Sequence, residues 1–305
     1  MTDTSVRPSG GSDDGFVPLV DDALPDEETG LVTRLREMNG RMVVGTFMLV
    51  TVLATAIFAP LIATHDPLDI NSTDRLMGPS FDHFFGTDNH GRDVFSRVVY
   101  GSRVSIFVGT MVVVMTTIFG TIIGLFAGFY KRLDSVIMRV MDSLQSFPSI
   151  LLAIAIMSAL GASSRNVIIA LTVSYTPRTA RIVRGRVLSI REEPYIEAAR
   201  AIGLGDIRVM WRYVLPNTLA PMVVQATFIL ALAIIAEAGL SFVGAGFPPP
   251  DPSWGNILSD GRSYMRQAKW MTVFPGLCIM YSVLGLNILG DGLRDVLDPR
   301  LKDRR

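Results

Sequence analysis

Few residues in this chain are equipped for chemistry, and their spacing narrows what that chemistry is. Ser241 follows Gly239 and Leu240, an arrangement that invites a nucleophile, but a serine hydroxyl needs a neighbouring base. The three histidines, His65, His83 and His90, all fall between the first and second long apolar runs. No H-E-x-x-H motif of a zinc hydrolase occurs, and no G-x-x-x-x-G-K-S/T loop to cradle a triphosphate. No catalytic residue is therefore expected, and no cofactor site in this chain. The histidine intervals of 18 and 7 residues match no compact ligand motif, so no metal site is expected either. The single cysteine, Cys278, lies in an apolar run and reads as a small packed hydrophobe.

Two polar residues stand inside apolar runs. A charge within a membrane span is costly and faces protein or a water-filled path. Glu237 is accordingly a candidate for a pathway or gate, or else a structural hydrogen-bonding group near an interface. Asn287 offers the same choice, because polar side chains commonly bridge membrane helices. Asp134, Arg139 and Asp142 open the third apolar run. Arg139 and Asp142 share a helix face at i,i+3, either as a neutralised pair or as a contact to a later segment.

That later segment is 192–217, EEPYIEAARAIGLGDIRVMWRYVLPN. Pro194 follows two acids and precedes good helix formers, which predicts a helix start. Gly203-Leu204-Gly205 predicts its end. Asp206 is placed to cap a second helix, on which Ile207, Met210, Trp211 and Val214 fall on one face and Arg208 and Arg212 on another. Pro216 then opens the next element. Two short helices joined at a glycine turn suit either an interfacial loop or a docking element for a partner.

The elements that position these residues are membrane spans. Apolar residues make up 49% of the 305, a share that soluble domains also reach, so distribution decides the class. A helix crossing about 30 Å of hydrocarbon needs about 20 residues. Runs free of Asp, Glu, Lys and Arg cover 42–64, 104–130, 143–164, 213–236 (continuing past Glu237 to 246) and 270–290. A weaker run of 12 residues lies at 166–177. The stretch from Arg178 to Arg212 carries eight arginines, which predicts a cytoplasmic location. The chain before residue 42, with Arg34, Arg36 and Arg41, is expected on the same side. An even number of crossings must separate the two, so the weak run is expected to cross as well. Six spans with both termini inside leave 20 of the 28 Lys and Arg residues inside. Eight acids and one base in the first 30 residues, among Gly, Ser and Pro, predict a disordered acidic tail. With a formal net charge of zero, nothing points to nucleic acid. No internal repeat is evident, which disfavours an inverted-repeat secondary transporter.

The segment 192–217 resembles the EAA loop of ABC importer permeases: Glu197-Ala198-Ala199, Gly203 after three residues, and Leu215-Pro216 after eleven more. A second stretch resembles the C-type permease signature of dipeptide, oligopeptide and nickel importers: Phe85-Gly86-Thr87-Asp88, Gly91-Arg92-Asp93, Ser96-Arg97, Gly101, Arg103 and Ser105. Around Glu237, at Trp254-Gly255-Asn256 and at 287–299 the chain is similar to the same group. The resemblance implies an all-α membrane protein with the type I importer permease fold. It implies a tail at 1–40, a first span at 41–64, an extracytoplasmic loop at 65–103, a core at 104–291 with a coupling loop at 186–217, and a cytoplasmic tail at 292–305. Glu197, Ala198, Ala199, Gly203, Leu215 and Pro216 would couple to two separate ATPase subunits, which bind ATP and Mg. Asp88, Arg92, Asp93 and Arg97 would mark the outer face. Implied partners are a second, B-type permease, an extracytoplasmic peptide-binding protein, met in part by the Pro-rich loop 247–269, and the lipid of a bacterial cytoplasmic membrane. Peptides are the substrate it points to, with nickel or another small solute, or an ATP-independent transporter or channel, as alternatives.

Overall fold

The computed structural model describes residues 40–297. The acidic segment 1–39 and the closing residues 298–305 lie outside it, so the expectations for both tails do too. Every regular element among the described residues is helical, apart from one isolated bridge between Thr87 and Asp93.

The first span is α1, Gly40–Ile57, followed by a single turn, α2, Ala59–Ile62. The next helix, α3, runs Val94–Phe129. It begins ten residues before the apolar run does, because the Asp93 carboxylate accepts the Ser96 backbone N–H at 2.7 Å and caps the helix there. The loop expected to reach residue 103 therefore ends at Asp93. At 1.5 Å per residue the 36 residues of α3 extend about 54 Å, well beyond the hydrocarbon thickness, so one end projects past the bilayer core.

The span expected at 143–164 is broken. Helix α4, Lys131–Gln145, and helix α5, Ser149–Leu160, meet at 88°. Pro148 lacks an N–H and pushes Phe147 out of helical geometry, which stops α4. Helix α5 closes at Gly161, in the left-handed region, where the Asn166 amide donates to the carbonyls of Leu160 and Gly161, both at 2.9 Å. The weak run at 166–177 is part of a much longer helix, α6, Ser164–Arg191. It passes through Pro177, beside which the hydroxyls of Ser174 and Thr176 donate back to the carbonyls of Ala170 and Thr172 at 2.8 and 2.7 Å. The coupling loop assigned from residue 186 thus starts inside a helix. Beyond it come α7, Pro194–Ala201, the short α8, Asp206–Val209, a π-turn at Met210–Val214 and a 3-10 turn at Pro216–Thr218. Three longer elements complete the chain: α9, Leu219–Phe242, α10, Trp254–Arg262, and α11, Trp270–Leu297.

By length and composition, four helices among the described residues can cross a membrane: α1, α3, α9 with the turn before it, and α11; the bent pair α4 and α5 makes up to five. The five arginines from Arg178 to Arg191 keep α6 out of that group.

Glycines set how closely the helices approach. On α3, Gly120, Gly124 and Gly128 recur every four residues against Thr179, Ala180, Val183 and Val187 of α6. A Cβ would come within 2.6 Å of Thr179 at the first position, 2.6 Å of the Ala180 carbonyl at the second and 2.7 Å of Val187 at the third. This is the small-xxx-small packing of membrane helices, and the residue numbers rising together on both helices make α3 and α6 parallel. On the other side of the bundle, Gly45 of α1 meets the backbone of Gly285 and Leu289 on α11.

Candidate functional site

The glycine-turned segment lies at the end of the bundle where α3 and α6 terminate. Pro194 occupies the first turn of α7, with Glu197 behind it. Ile196 and Ala199 face inward, into a cluster with Phe129, Val187, Ile190, Val209, Met210 and Val214. Glu197 and Ala198 face outward. Gly203, at φ +85°, ends the helix. Its N–H donates to the Arg200 carbonyl at 2.9 Å, and the Leu204 N–H to the Ala199 carbonyl at 3.1 Å, the paired bonds of a Schellman turn. Only the backbone angle demands glycine here, since a Cβ would meet nothing within 4 Å.

The second helix differs from expectation in two ways. Gly205, not Asp206, stands at its cap, and Asp206 lies in the first turn without a side-chain cap bond. Val209, Met210 and Val214 are buried, while Ile207 and Trp211 turn outward. After Val209 the helix widens into the π-turn, in which the Leu215 N–H reaches back to the Met210 carbonyl at 2.9 Å, one residue further than in an α-helix, so the regular helical face is displaced at Trp211. Pro216 offers no N–H and its ring would crowd the carbonyl four residues back, which favours the wider turn. Leu215 is half-buried and Pro216 exposed.

The result is an apolar surface left largely open among the described residues. Ile202, Ile207 and Trp211 are 77, 66 and 51% exposed. An open hollow of about 750 Å³ runs between Tyr130 and Gly205, Asp206, Ile207, Arg208 and Trp211. The frame behind it is tied to the spans. Arg191 donates to the Gly128 carbonyl at 3.2 Å, and the Arg200 guanidinium lies 5.0 Å from the centroid of the Phe129 ring. The Asp134 carboxylate of α4 takes a two-pronged bond from Arg184 of α6 at 2.5 and 2.6 Å, and Asp142 takes Arg181 at 2.5 Å. The spacing argument had paired Asp142 with Arg139. Both acids of α4 instead face α6.

At the opposite end, Asp88, Arg92, Asp93 and Arg97 form a buried cap. One Asp88 oxygen accepts the N–H groups of His90 and Arg92 at 2.7 and 3.0 Å, and the other accepts Arg92 Nε at 2.6 Å. Arg97 Nε lies 3.6 Å from that second oxygen. Arg92 and Arg97 each donate to Asp260 of α10 at 3.2 Å. Sequence reasoning missed Asp260; its only signal was its place six residues after Trp254. Trp254 donates to the Val98 carbonyl at 3.0 Å and Trp270 to the Thr87 carbonyl at 2.9 Å, locking the 85–97 segment to α10 and α11.

Glu237 of α9 is fully buried. It accepts the hydroxyls of Ser105 on α3 at 3.1 Å and of Ser241 at 2.8 Å. Through Ser105, whose hydroxyl also accepts the Trp254 backbone N–H at 3.4 Å, it links α9 to α3 and α10. Asn287 is half-buried on α11, remote from the glycine-turned segment in sequence.

An all-helical bundle among the described residues, with four to five helices long and apolar enough to cross a membrane, defines a multi-pass membrane protein. The chain matches the family model described as binding-protein-dependent transport system inner membrane component over residues 120–303 and belongs to that family. It is 51% identical over 259 residues, 85% of this chain and 88% of the other, to a Brucella suis protein named as a peptide transport system permease. It is 45% identical to a dipeptide transport system permease of Alkalihalophilus pseudofirmus, covering 91% of this chain and 94% of that one. A glutathione transport system permease of Pectobacterium atrosepticum is 42% identical over 85% and 86% of the two chains.

Proposed function

We propose that this chain is one of two membrane-spanning subunits of an ATP-driven importer of di- and oligopeptides, coupled to separate ATPase subunits through residues 194–216. The observation that carries the coupling is the exposed apolar edge of Ile202, Ile207 and Trp211. It sits on a helix pair whose inner face is packed on the ends of α3 and α6. A partner that grips this edge moves the spans with it. The chain has no nucleotide-binding loop of its own, so ATP and Mg belong to the partner. The peptide substrate rests on the relatives' names.

Six crossings with both termini in the cytoplasm account for the remaining features. Helices α3 and α6 run parallel, so the α4–α5 segment between them returns across the bundle. That ordering puts the arginines of 178–212 and the coupling segment inside. The cap of Asp88, Arg92, Asp93 and Arg97 then lies outside, with the loop 247–269, facing a peptide-binding protein. A B-type permease completes the membrane path. Closure of the ATPases on ATP would move the coupling helices and open that path outward.

Mild-detergent capture of the tagged chain from its native membrane, with partner identification and an ATPase assay, tests this. Recovery of a second permease and P-loop ATPases, with hydrolysis stimulated by a peptide-binding protein, is the expected result. A chain that is stable alone, as a homo-oligomer without ATPase, would be a channel or secondary transporter instead.

A further inference from the structure

Two histidines that the sequence keeps 18 residues apart meet in the fold. His65 follows α2, His83 lies in the loop before α3, and Asp93 caps α3. His83 Nδ1 is 2.9 Å from one Asp93 oxygen and His65 Nδ1 is 4.0 Å from the other. The two imidazole centroids are 4.8 Å apart with planes tilted by 33°. One donor atom from each of the three residues lies within 4.8 Å of the others. Side-chain exposure grades from 1% at Asp93 through 13% at His83 to 44% at His65. The carboxylate is the floor of the cluster and His65 its mouth. His65 also borders an open hollow of about 480 Å³, shared with Asp66, Tyr100 and Asp251.

We propose that His65, His83 and Asp93 form a binding site for a divalent metal ion of the zinc class, at the end of the molecule opposite the coupling segment. Two imidazoles and a carboxylate are the donors that zinc and its neighbours prefer, whereas calcium and magnesium need more oxygen ligands than are present. Zinc bonds of about 2.0–2.2 Å in a tetrahedron set ligand atoms roughly 3.3 Å apart. The His83–Asp93 pair is held at 2.9 Å by a hydrogen bond; an ion would take the place of its proton, released to water, as the two atoms part by a few tenths of an ångström. His65, the exposed member, closes the remainder by a change of rotamer. The fourth position opens onto the hollow and suits a water molecule. The surroundings hold the ligands in place, as outer partners of metal sites do. Asp93 accepts the Ser96 N–H at 2.7 Å, and the Ser96 hydroxyl in turn accepts the His65 backbone N–H at 3.0 Å. A bound ion would staple the exit of the first span to the start of α3.

This site stands apart from the transport reading, and its test needs no transport. Chelator-treated, tag-free protein in lipid nanodiscs is titrated with Co²⁺ alone, followed by its visible absorption, and then with Zn²⁺ in competition. One Co²⁺ per chain with a tetrahedral spectrum, displaced by Zn²⁺, is expected. His65→Ala and His83→Ala should each weaken binding by more than the about 10–100-fold that loss of a mere outer partner costs. His90→Ala should leave it unchanged. Because His65 is exposed, His65→Ala keeps the fold even if His83→Ala does not. Absence of saturable binding in folded wild-type protein, or a wild-type affinity in His65→Ala, overturns the site.

Discussion

In the cap at 85–97, charged side chains are turned inward: Asp88 and Arg97 are buried and matched against Arg92 and Asp260. In the segment at 194–216, apolar side chains are turned outward: Ile202, Ile207 and Trp211 face solvent while the helix beneath them is packed. Each arrangement is costly by itself. A buried charge is tolerated only when paired, and a contiguous exposed apolar surface marks a binding site. The cap's charges are therefore matched mainly within this chain, whereas on the proposed coupling reading the helix pair awaits a partner. The contrast yields opposed expectations: substitutions in the cap act on stability, and substitutions on the helix pair act on assembly and transport.

The largest effect is expected at Gly203. Valine at φ +85° forces a β-branched residue into the left-handed region, at a cost on the order of 1–2 kcal/mol even for ordinary residues. The turn between α7 and α8 would rearrange. Gly203→Val should insert normally in the membrane yet lower peptide uptake to background, while Gly203→Asn, which accepts that angle, should retain most of it. Uptake assays on cells with matched membrane levels decide this, and full transport by the valine variant would sink the coupling role. On stability, rather than on uptake, the largest effect is expected from Asp88→Ala. It strips a partner from buried Arg97 and half-buried Arg92 and leaves the N–H groups of His90 and Arg92 unmatched. Breaking a buried pair costs about 3–5 kcal/mol, so the melting temperature in detergent should fall sharply. An unchanged melting temperature would mean that the cap is not what holds this end together. Smaller again is Ser241→Ala, which removes one of the hydroxyls that satisfy buried Glu237. A loss of about 1–3 kcal/mol is expected, read by the same melting experiment.

Much of this contrast was legible in the sequence, and what was not has physical causes. Pro194, Gly203 and the long apolar runs act locally, through backbone angle and hydropathy, so they announced the helix start, the turn and the spans. Asp93 as a helix cap was missed because a cap is a local bond hidden inside a family-like signature. The break at Pro148 was missed because an apolar run says nothing about its own bending. Asp260, the pairing of Asp142 with Arg181 and the meeting of His65 with His83 all join residues far apart in the chain. Spacing alone cannot register such contacts. The outward turn of Trp211 depended on the π-turn before Pro216, which displaces the face that a regular helical period assigns.

The smallest expected effect on stability is also the sharpest test of the comparison. Trp211→Ser removes a large ring that is half exposed and that borders the hollow beside Tyr130. Within this chain little rests on that ring, since Val209, Met210 and Val214 fill the interior behind it. Surface changes of that kind usually stay within about 0.5 kcal/mol, so melting should be nearly unaltered. Aromatic residues at the centre of an interface, by contrast, carry about 2 kcal/mol or more of binding when removed, which is roughly 30-fold in affinity at 1.4 kcal/mol per decade. Capture of the ATPase subunits should thus weaken by at least that factor while the melting curve stays in place. Ile202→Ser should behave the same way to a lesser degree. If either variant melted early yet held its ATPase normally, the outward apolar edge would be ordinary packing, and the two ends of the molecule would not differ in kind.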